Sequence, residues 1–207
     1  MTNSPEAGRR IAVGVTGASG AIYAVRTIAA LLEQDCQLDV VVSEYGRRLF
    51  AEELGADVKV DRLQAFLVER YGPSAGRGRL TLYSNRDLGA ALASGSHRCD
   101  SMVIVPCSMK TMAGVAHGLS QSLIERAADV MLKEKRRLVM VPRETPMSLP
   151  DLRNMVACAE AGAMLLPAMP AFYQHPSTIE DLAAFIAGKI LNALGFEQTL
   201  FPPWKGE

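Results

Sequence analysis

The sequence has few cysteines, and they are arranged neither as metal ligands nor as a disulfide framework. The four cysteines and three histidines are Cys36, Cys99, Cys107, Cys158, His97, His117 and His175. No C-x-x-C pair occurs among them, and the histidines lack the paired spacing of metal ligands. We therefore expect free thiols in a reducing compartment, structural or surface histidines, and no metal site.

Charge of one sign is not in excess either, because 22 Lys and Arg residues balance 22 Asp and Glu residues. No global field would attract nucleic acid or an anionic membrane. A run of about 18 apolar residues is also missing, and residues 1–10 lack the apolar core of a signal peptide. These absences predict a soluble, cytoplasmic protein that binds neither nucleic acid nor membrane.

Short apolar runs alternate with helical patterns along the chain, whose hydrophobic fraction is 49%. The predicted strands are Ile11–Val15, Leu38–Val42, Met102–Val105, Leu138–Val141 and Met164–Leu166. The predicted helices are Ile22–Leu32, Arg47–Leu54, Leu63–Tyr71, Met112–Lys135, Pro150–Ala161 and Ile179–Leu194. Strands that are apolar throughout predict a mostly parallel sheet covered on both faces.

The pattern therefore indicates a doubly wound, three-layer α/β fold of the Rossmann or flavodoxin type. We expect a single domain over residues 1–207, with a flexible leader at 1–9 and a C-terminal tail at 195–207 that is a candidate lid. In such folds ligands bind beyond the carboxyl ends of the strands. The loops at that edge are Thr16–Gly20, Ser43–Glu44, Pro106–Thr111, Pro142–Pro146 and Pro167–Tyr173.

The first of these loops joins a strand to a helix with small residues. A backbone of this kind can approach an anion closely, and the helix start offers free N–H groups, so a phosphate is the expected guest. Nicotinamide-dependent short-chain dehydrogenases share the T-G-A-S sequence, but they need a Tyr and a Lys four residues apart. None of the five tyrosines here has Lys at that spacing, which argues against that class.

Four motifs occur in a fixed order along the chain. They are T-G-A-S-G at 16–20, P-C-S-M-K-T at 106–111, L-I-E-R-A-A-D-V-M-L-K-E at 123–134 and R-E-T-P at 143–146. In this order and at these spacings they resemble the motifs of the UbiX-type flavin prenyltransferases, and the resemblance extends from about Arg10 to Trp204. It implies an enzyme that joins the dimethylallyl group of dimethylallyl monophosphate to N5 and C6 of reduced FMN.

The resemblance also implies which residues form the site. FMN would be held by residues of the strand-end loops, namely Gly17, Ala18, Ser19, Ser43, Ser108, Met109, Lys110, Thr111 and Arg143. The prenyl phosphate would be surrounded by Ser94, Arg126, Lys133, Tyr173 and Lys189. Catalytic positions would be Glu144, Ser19, Glu53 and Trp204. The family typically has Arg where this chain has Lys189, so the bidentate fork of a guanidinium is lost there.

The residue types suit this chemistry. Arg126 and Lys133 are seven residues apart on one predicted helix, so we expect both to project from one face toward a single phosphate. Diphosphate-using prenyltransferases recruit magnesium through a D-D-x-x-D motif, which this sequence lacks. Glu144 is the candidate proton carrier with Ser19 as relay, unless it forms a plain ion pair with Arg143. Trp204 would either stabilise allylic positive charge or anchor an interface.

Two other functions stay open. A flavin-dependent cysteine decarboxylase of related fold typically carries P-A-S-A-N-T where this chain has residues 106–111. A non-catalytic flavin carrier subunit of a decarboxylase would leave Glu144 and the phosphate-binding cations without a role. The resemblance further implies a homo-oligomer, a dodecamer with sites completed across subunit boundaries, and a UbiD-type decarboxylase that receives the prenylated FMN.

Overall fold

Six parallel strands form one sheet at the centre of the protein in the computed structural model, which describes residues 8–55 and 60–203. The strands are β1 (Arg10–Val15), β2 (Gln37–Val42), β3 (Arg79–Ser84), β4 (Ser101–Cys107), β5 (Arg137–Pro142) and β6 (Met164–Leu165). Their order across the sheet is β3-β2-β1-β4-β5-β6, and every neighbouring pair is parallel. The predicted doubly wound α/β fold is confirmed.

Helices cover both faces of the sheet. They are α1 (Ala21–Glu33), α2 (Glu44–Leu54), α3 (Leu63–Tyr71), α4 (Met109–Ala116), α5 (Leu123–Lys133), α6 (Leu149–Glu160) and α7 (Ile179–Leu194). Helices α1, α2, α3 and α7 pack against the side of β1 that carries Val13 and Val15, which we name the α7 face. Helices α4, α5 and α6 pack against the side that carries Ala12, which we name the α5 face.

Strand β3 was not predicted from the sequence. It lies at the edge of the sheet, and its residues are half-buried or exposed rather than buried throughout. Polar and apolar residues therefore alternate along it, whereas the strands that were predicted are mostly apolar runs. A search for continuous runs finds central strands and misses such an edge strand.

The long helix predicted over Met112–Lys135 is wrong, because the chain forms two helices there. Helix α4 ends at Ala116, and α5 begins after Ser122, whose hydroxyl accepts a hydrogen bond from the amide of Glu125. Between them Gly118 and Ser120 have positive φ angles of 61° and 50°, a conformation that no α-helix accommodates.

The connections place a crevice at the middle of the carboxyl edge. Strands β1 and β4 are neighbours, but α1 follows β1 onto the α7 face while α4 follows β4 onto the α5 face. The two loops therefore diverge and leave an opening between them, where ligands bind in doubly wound folds. Within residues 8–55 and 60–203, no helix has the length and apolar character needed to cross a membrane.

Candidate functional site

Thr16 joins the two loops that diverge at the crevice. Its hydroxyl donates to the carbonyl oxygen of Pro106 at 2.8 Å and accepts from the amide of Ser108 at 2.7 Å. Its own amide also donates to Pro106, at 3.2 Å. The segment Gly17–Ser19 is thereby held beside the loop Ser108–Thr111, so two groups of residues predicted to bind FMN are neighbours.

The start of α4 presents two unused backbone donors to this edge. A helix start leaves four N–H groups without intrahelical partners. Here the amide of Ser108 donates to Thr16, and the amide of Thr111 donates to the Ser108 hydroxyl at 3.3 Å. In the described chain the amides of Met109 and Lys110 have no protein acceptor. They can therefore donate to a bound anion.

The start of α2 has the same arrangement. Its cap residue is Ser43, whose hydroxyl accepts from the amide of Gly46 at 3.1 Å and whose amide donates to Val15 at 2.9 Å. Across the described ranges, the amides of Glu44 and Tyr45 likewise have no protein acceptor. Two helix starts of the same polarity thus face the carboxyl edge, one on each side of the sheet.

A cavity of about 500 Å³ lies between these two helix starts. Its lining includes Ser43 and Lys110 together with two further cations, Arg47 and Arg86. The Arg86 guanidinium is paired with the Glu44 carboxylate at 2.8 Å. Three cations against one carboxylate, beside unused amides, make an environment that favours an anionic group.

The start of α1 does not offer the free amides that the sequence predicted there. The Glu53 carboxylate accepts from the amide of Gly20 at 2.9 Å and from the amide of Ala21 at 2.7 Å. Gly20 has no side chain to cap the helix, and Glu53 at the end of α2 supplies the anion instead. Two donors at this helix start are therefore already used, and an anion at the first loop would have to use other amides of the loop.

Arg143 connects the first loop to the end of β5. Its Nε donates to the carbonyl oxygen of Ser19 at 3.0 Å. Burial raises the pKa of Tyr23, and the positive charge of Arg143 offsets part of that rise, so the guanidinium also lies near this ring. The next residue, Glu144, is half-buried and accepts from the amide of Thr145 at 3.0 Å. Among the described residues Glu144 forms no ion pair with Arg143.

Arg126 contacts the loop that carries Ser94. Its Nε donates to the carbonyl oxygen of Ala93 at 3.2 Å, and its Nη1 pairs with Asp129 at 2.9 Å. Lys133 is exposed at the other end of α5, about 10 Å further along the helix axis. The Leu123 amide donates to Asn85 just past the carboxyl end of β3, so α5 runs away from that edge and Lys133 lies toward the opposite one.

Tyr173 and Lys189 lie on the opposite face of the sheet from Arg126. The Tyr173 ring meets the Phe185 ring of α7 edge-on at 6.2 Å. The Lys189 ammonium lies 5.5 Å from the centroid of Phe185 and 5.8 Å from that of Phe201. Because α7 and α5 cover different faces, one chain alone does not bring these residues together with Arg126 and Lys133. Convergence of these residues on one phosphate, which was expected across subunit boundaries, stays a prediction.

The described part of the C-terminal tail lies against α7. The Phe201 ring packs on Phe185 with centroids 4.7 Å apart, and the Gln174 side chain donates to the carbonyl oxygen of Pro202 at 3.2 Å. Trp204, predicted as a catalytic position, lies outside the described residues.

Cys107 is not placed as a nucleophile, although it lies in the loop after β4. Its side chain is fully buried, and burial raises the pKa of the thiol, so the thiol is neutral at physiological pH. Of the histidines, His97 donates from Nε2 to the buried Asp39 carboxylate at 2.9 Å, a structural contact away from the crevice. Both agree with the sequence interpretation.

Sequence reasoning did not single out Thr16 or Asp129. Both lie inside the recognised motifs, but their roles depend on contacts with residues far along the chain or on the neighbouring helix turn. The spacing of Asp129 three residues after Arg126 is the one local signal that predicts such a pair.

Comparison with known proteins gives consistent matches over nearly the whole chain. The Flavoprotein family model matches residues 1–193. The flavin prenyltransferase UbiX of Alkalihalophilus pseudofirmus is 49% identical over 192 residues, which is 93% of this chain and 94% of that protein. The structure of AnUbiX (PadA1) in complex with FMN and dimethylallyl pyrophosphate has a TM-score of 0.85 and 36% identity, and covers 97% of this chain and 99% of its own. A dodecameric FMN-dependent UbiX-like decarboxylase from Escherichia coli O157:H7 has a TM-score of 0.82 and 36% identity, over 96% and 100%.

Proposed function

The chain belongs to the flavin prenyltransferases of the flavoprotein family, and from this membership we propose that it transfers a dimethylallyl group from dimethylallyl monophosphate to N5 and C6 of reduced FMN. It is thus a transferase that acts on a flavin. The observation that carries the proposal is the crevice itself. Unused amides and cations stand at one end of it, and Arg143 and Glu144 stand at the other.

The FMN phosphate binds at the starts of α2 and α4. Support comes from the unused amides of Met109 and Lys110 and from the cavity that Ser43 and Lys110 line. The α1 start is less suited to this role because Glu53 already accepts from the amides of Gly20 and Ala21. The donors present therefore fit a phosphate without any change in their protein contacts.

The flavin ring then extends along the strand ends toward Arg143. Strands β2 and β5 are three strand spacings apart, roughly 14 Å, which suits an elongated mononucleotide. Gly17, Ala18 and Ser19 border this path. A Cβ on Gly17 would lie 2.5 Å from the Tyr45 Cβ, so only glycine lets the first loop pack this close to the start of α2.

Glu144 moves the protons of the reaction. Reduced FMN, when bound, supplies the nucleophilic N5 and the C6 position. Joining the allylic carbon to N5 releases phosphate and one proton; closing the ring at C6 adds a proton to the alkene and removes one from C6. A carboxylate that can both take and give a proton meets these needs. Glu144 stands at the end of β5 beside Arg143, and the exposed Ser19 lies close by through the Arg143 contact.

The prenyl phosphate is bound between subunits. Ser94 and Arg126 belong to the α5 face, whereas Tyr173 and Lys189 belong to the α7 face. These groups can surround one phosphate only if different copies of the chain contribute them. Fixed cations around a departing phosphate stabilise the charge that develops on it. A dodecamer, the assembly named for the relative from Escherichia coli, would supply such neighbours. We further propose that a UbiD-type decarboxylase receives the product.

Anaerobic incubation with reduced FMN and dimethylallyl monophosphate tests the proposed function. We expect a flavin heavier by one C5 unit in the mass spectrum, formed only in the presence of the protein. A parallel reaction with dimethylallyl pyrophosphate, the compound bound in the AnUbiX structure, decides which phosphate the site prefers. A fully bound but unaltered flavin with both compounds would contradict the proposal and support a flavin carrier. Decarboxylation of a cysteine-ending peptide would support the cysteine decarboxylase alternative.

A further inference from the structure

The Thr16 hydroxyl makes two hydrogen bonds that cross the opening between β1 and β4. It donates to Pro106 and accepts from Ser108, at 2.8 and 2.7 Å, and the residue is 2% exposed. Both partners are backbone groups, and only Cys107 lies between them. The hydroxyl therefore fixes the backbone of the loop Pro106–Thr111 on both sides of Cys107 rather than at a single point.

These bonds lie just beyond the last paired residues of β1 and β4. Parallel neighbours are normally joined by ladder hydrogen bonds, but the β1–β4 register ends at Gly14 and Ile104. Beyond it the chain departs to opposite faces of the sheet, as α1 on one side and α4 on the other. At the floor of the crevice the Thr16 hydroxyl therefore adds two hydrogen bonds to the one backbone bond that joins the Thr16 amide to Pro106.

We propose that Thr16 is a positioning residue of the flavin site, a role that rests on the proposed function. By occupying the Ser108 amide, it sets the direction of the first turn of α4. That turn carries the two unused amides of Met109 and Lys110. The same hydroxyl holds Gly17–Ser19 at a fixed distance from them, so both walls of the flavin site are in place before FMN binds. A site arranged in advance binds more tightly because less freedom is lost on binding.

Thr16→Val tests this role, because valine keeps the shape of threonine and removes only the hydroxyl. The Ser108 amide then loses its acceptor in a buried place, and the α4 start is free to shift. We expect the dissociation constant of FMN, measured by quenching of its fluorescence, to rise about tenfold. Thr16→Ser restores the hydroxyl and is expected to restore the affinity.

Thr27→Val is the matched control. Thr27 is fully buried in α1, and in the described part of the chain its hydroxyl has no hydrogen-bond partner. The same chemical change at that position should leave the affinity for FMN as it is. Should Thr16→Val not fold, Thr16→Ala removes the same hydroxyl with less bulk. If neither variant folds, Thr16 is required for folding itself, and this outcome would contradict the proposal.

The outcomes separate this inference from the proposed function. A folded Thr16→Val protein that binds FMN as tightly as the unchanged chain contradicts the positioning role, even if the enzyme still prenylates FMN. Weaker binding in Thr16→Val with recovery in Thr16→Ser supports the role, even if no prenylated product forms. Failure of the unchanged protein to bind FMN at all would overturn both.

Discussion

At the scale of single residues, the contacts of Glu144 suit the proposed role of proton carrier. The side chain is half-buried and accepts one hydrogen bond from the amide of the next residue, Thr145. A carboxylate committed to an ion pair with Arg143 would be a poor proton carrier, but Arg143 donates to Ser19 instead. Glu144 is thus held in place while its second oxygen can serve a substrate.

Glu144→Gln should separate binding from chemistry. The amide keeps the shape of the side chain but cannot take a proton, so we expect FMN to bind as before and the rate of prenylation to fall at least about 100-fold. The rate is measured under anaerobic conditions by mass spectrometry of the flavin. The control is Glu197→Gln, an exposed residue beyond the end of α7. Equal rates for both variants would show that Glu144 carries no proton.

A substitution of Lys189 is expected to improve the binding of dimethylallyl monophosphate. The ammonium lies over the rings of Phe185 and Phe201, a place where a planar guanidinium also stacks well. Lys189→Arg adds the bidentate fork that suits phosphate, so KM for dimethylallyl monophosphate should fall about threefold to tenfold. The affinity for FMN should not change. Lys135→Arg, an exposed residue after α5, is the control. A KM that stays the same would remove Lys189 from the phosphate pocket.

At the scale of elements, the start of α1 depends on a residue from another helix. Gly20 is the cap residue and has no side chain, so it cannot supply an acceptor to the free amides. Its amide and that of Ala21 both donate to Glu53 at the end of α2. This contact also explains why the motif T-G-A-S-G does not by itself identify the phosphate site. The motif predicts amides at a helix start, but it does not predict which anion accepts their hydrogen bonds.

Glu53→Ala should therefore destabilise the fold as well as the site. Loss of a charged cap at a helix start costs about 1 kcal/mol, so the free energy of unfolding should fall by about that amount in urea. The control is Glu69→Ala, an exposed carboxylate in α3.

Glu53→Gln distinguishes the cap from a catalytic role. The glutamine oxygen can still accept from the two amides, so stability should stay close to that of the unchanged chain. If Glu53 also moves protons, this variant loses prenylation without losing stability. A variant that keeps both would leave Glu53 with the capping role alone.

The ends of elements were predictable where a local signal exists. Helix α7 runs from Ile179 to Leu194 as predicted, because Thr178 caps its start and Gly195, with a φ of 82°, ends it. Helix α2 begins three residues earlier than predicted because Ser43, read only as a loop residue, is its cap. The edge strand β3 was missed because its position at the edge leaves it without a continuous apolar run. The break between α4 and α5 was missed although Gly118 and the Ser122 cap are local signals for it.

At the scale of the whole molecule, the motifs indicated which loops form the site but not which face each helix covers. One edge of the sheet holds Thr16, Ser43, Ser108 and Arg143 because parallel strands end together. The sequence was sufficient to predict this. Whether α5 and α7 lie on the same face depends on the order of strands, which periodicity does not determine. Arg126 and Lys189 accordingly lie on different faces of one chain, and their convergence across subunit boundaries stays a prediction.

Mixed oligomers test whether separate copies of the chain complete one phosphate pocket. Arg126→Ala and Lys189→Ala should each abolish most prenylation, since each removes a phosphate-binding cation. When the two variants are unfolded, mixed in equal amounts and refolded together, a pocket built from two chains receives both intact residues in about one case in four. Activity should therefore return to about a quarter of that of the unchanged enzyme. A pocket built within one chain always lacks one residue, and mixing would then restore nothing. We expect the first result, because α5 and α7 cover opposite faces of the sheet.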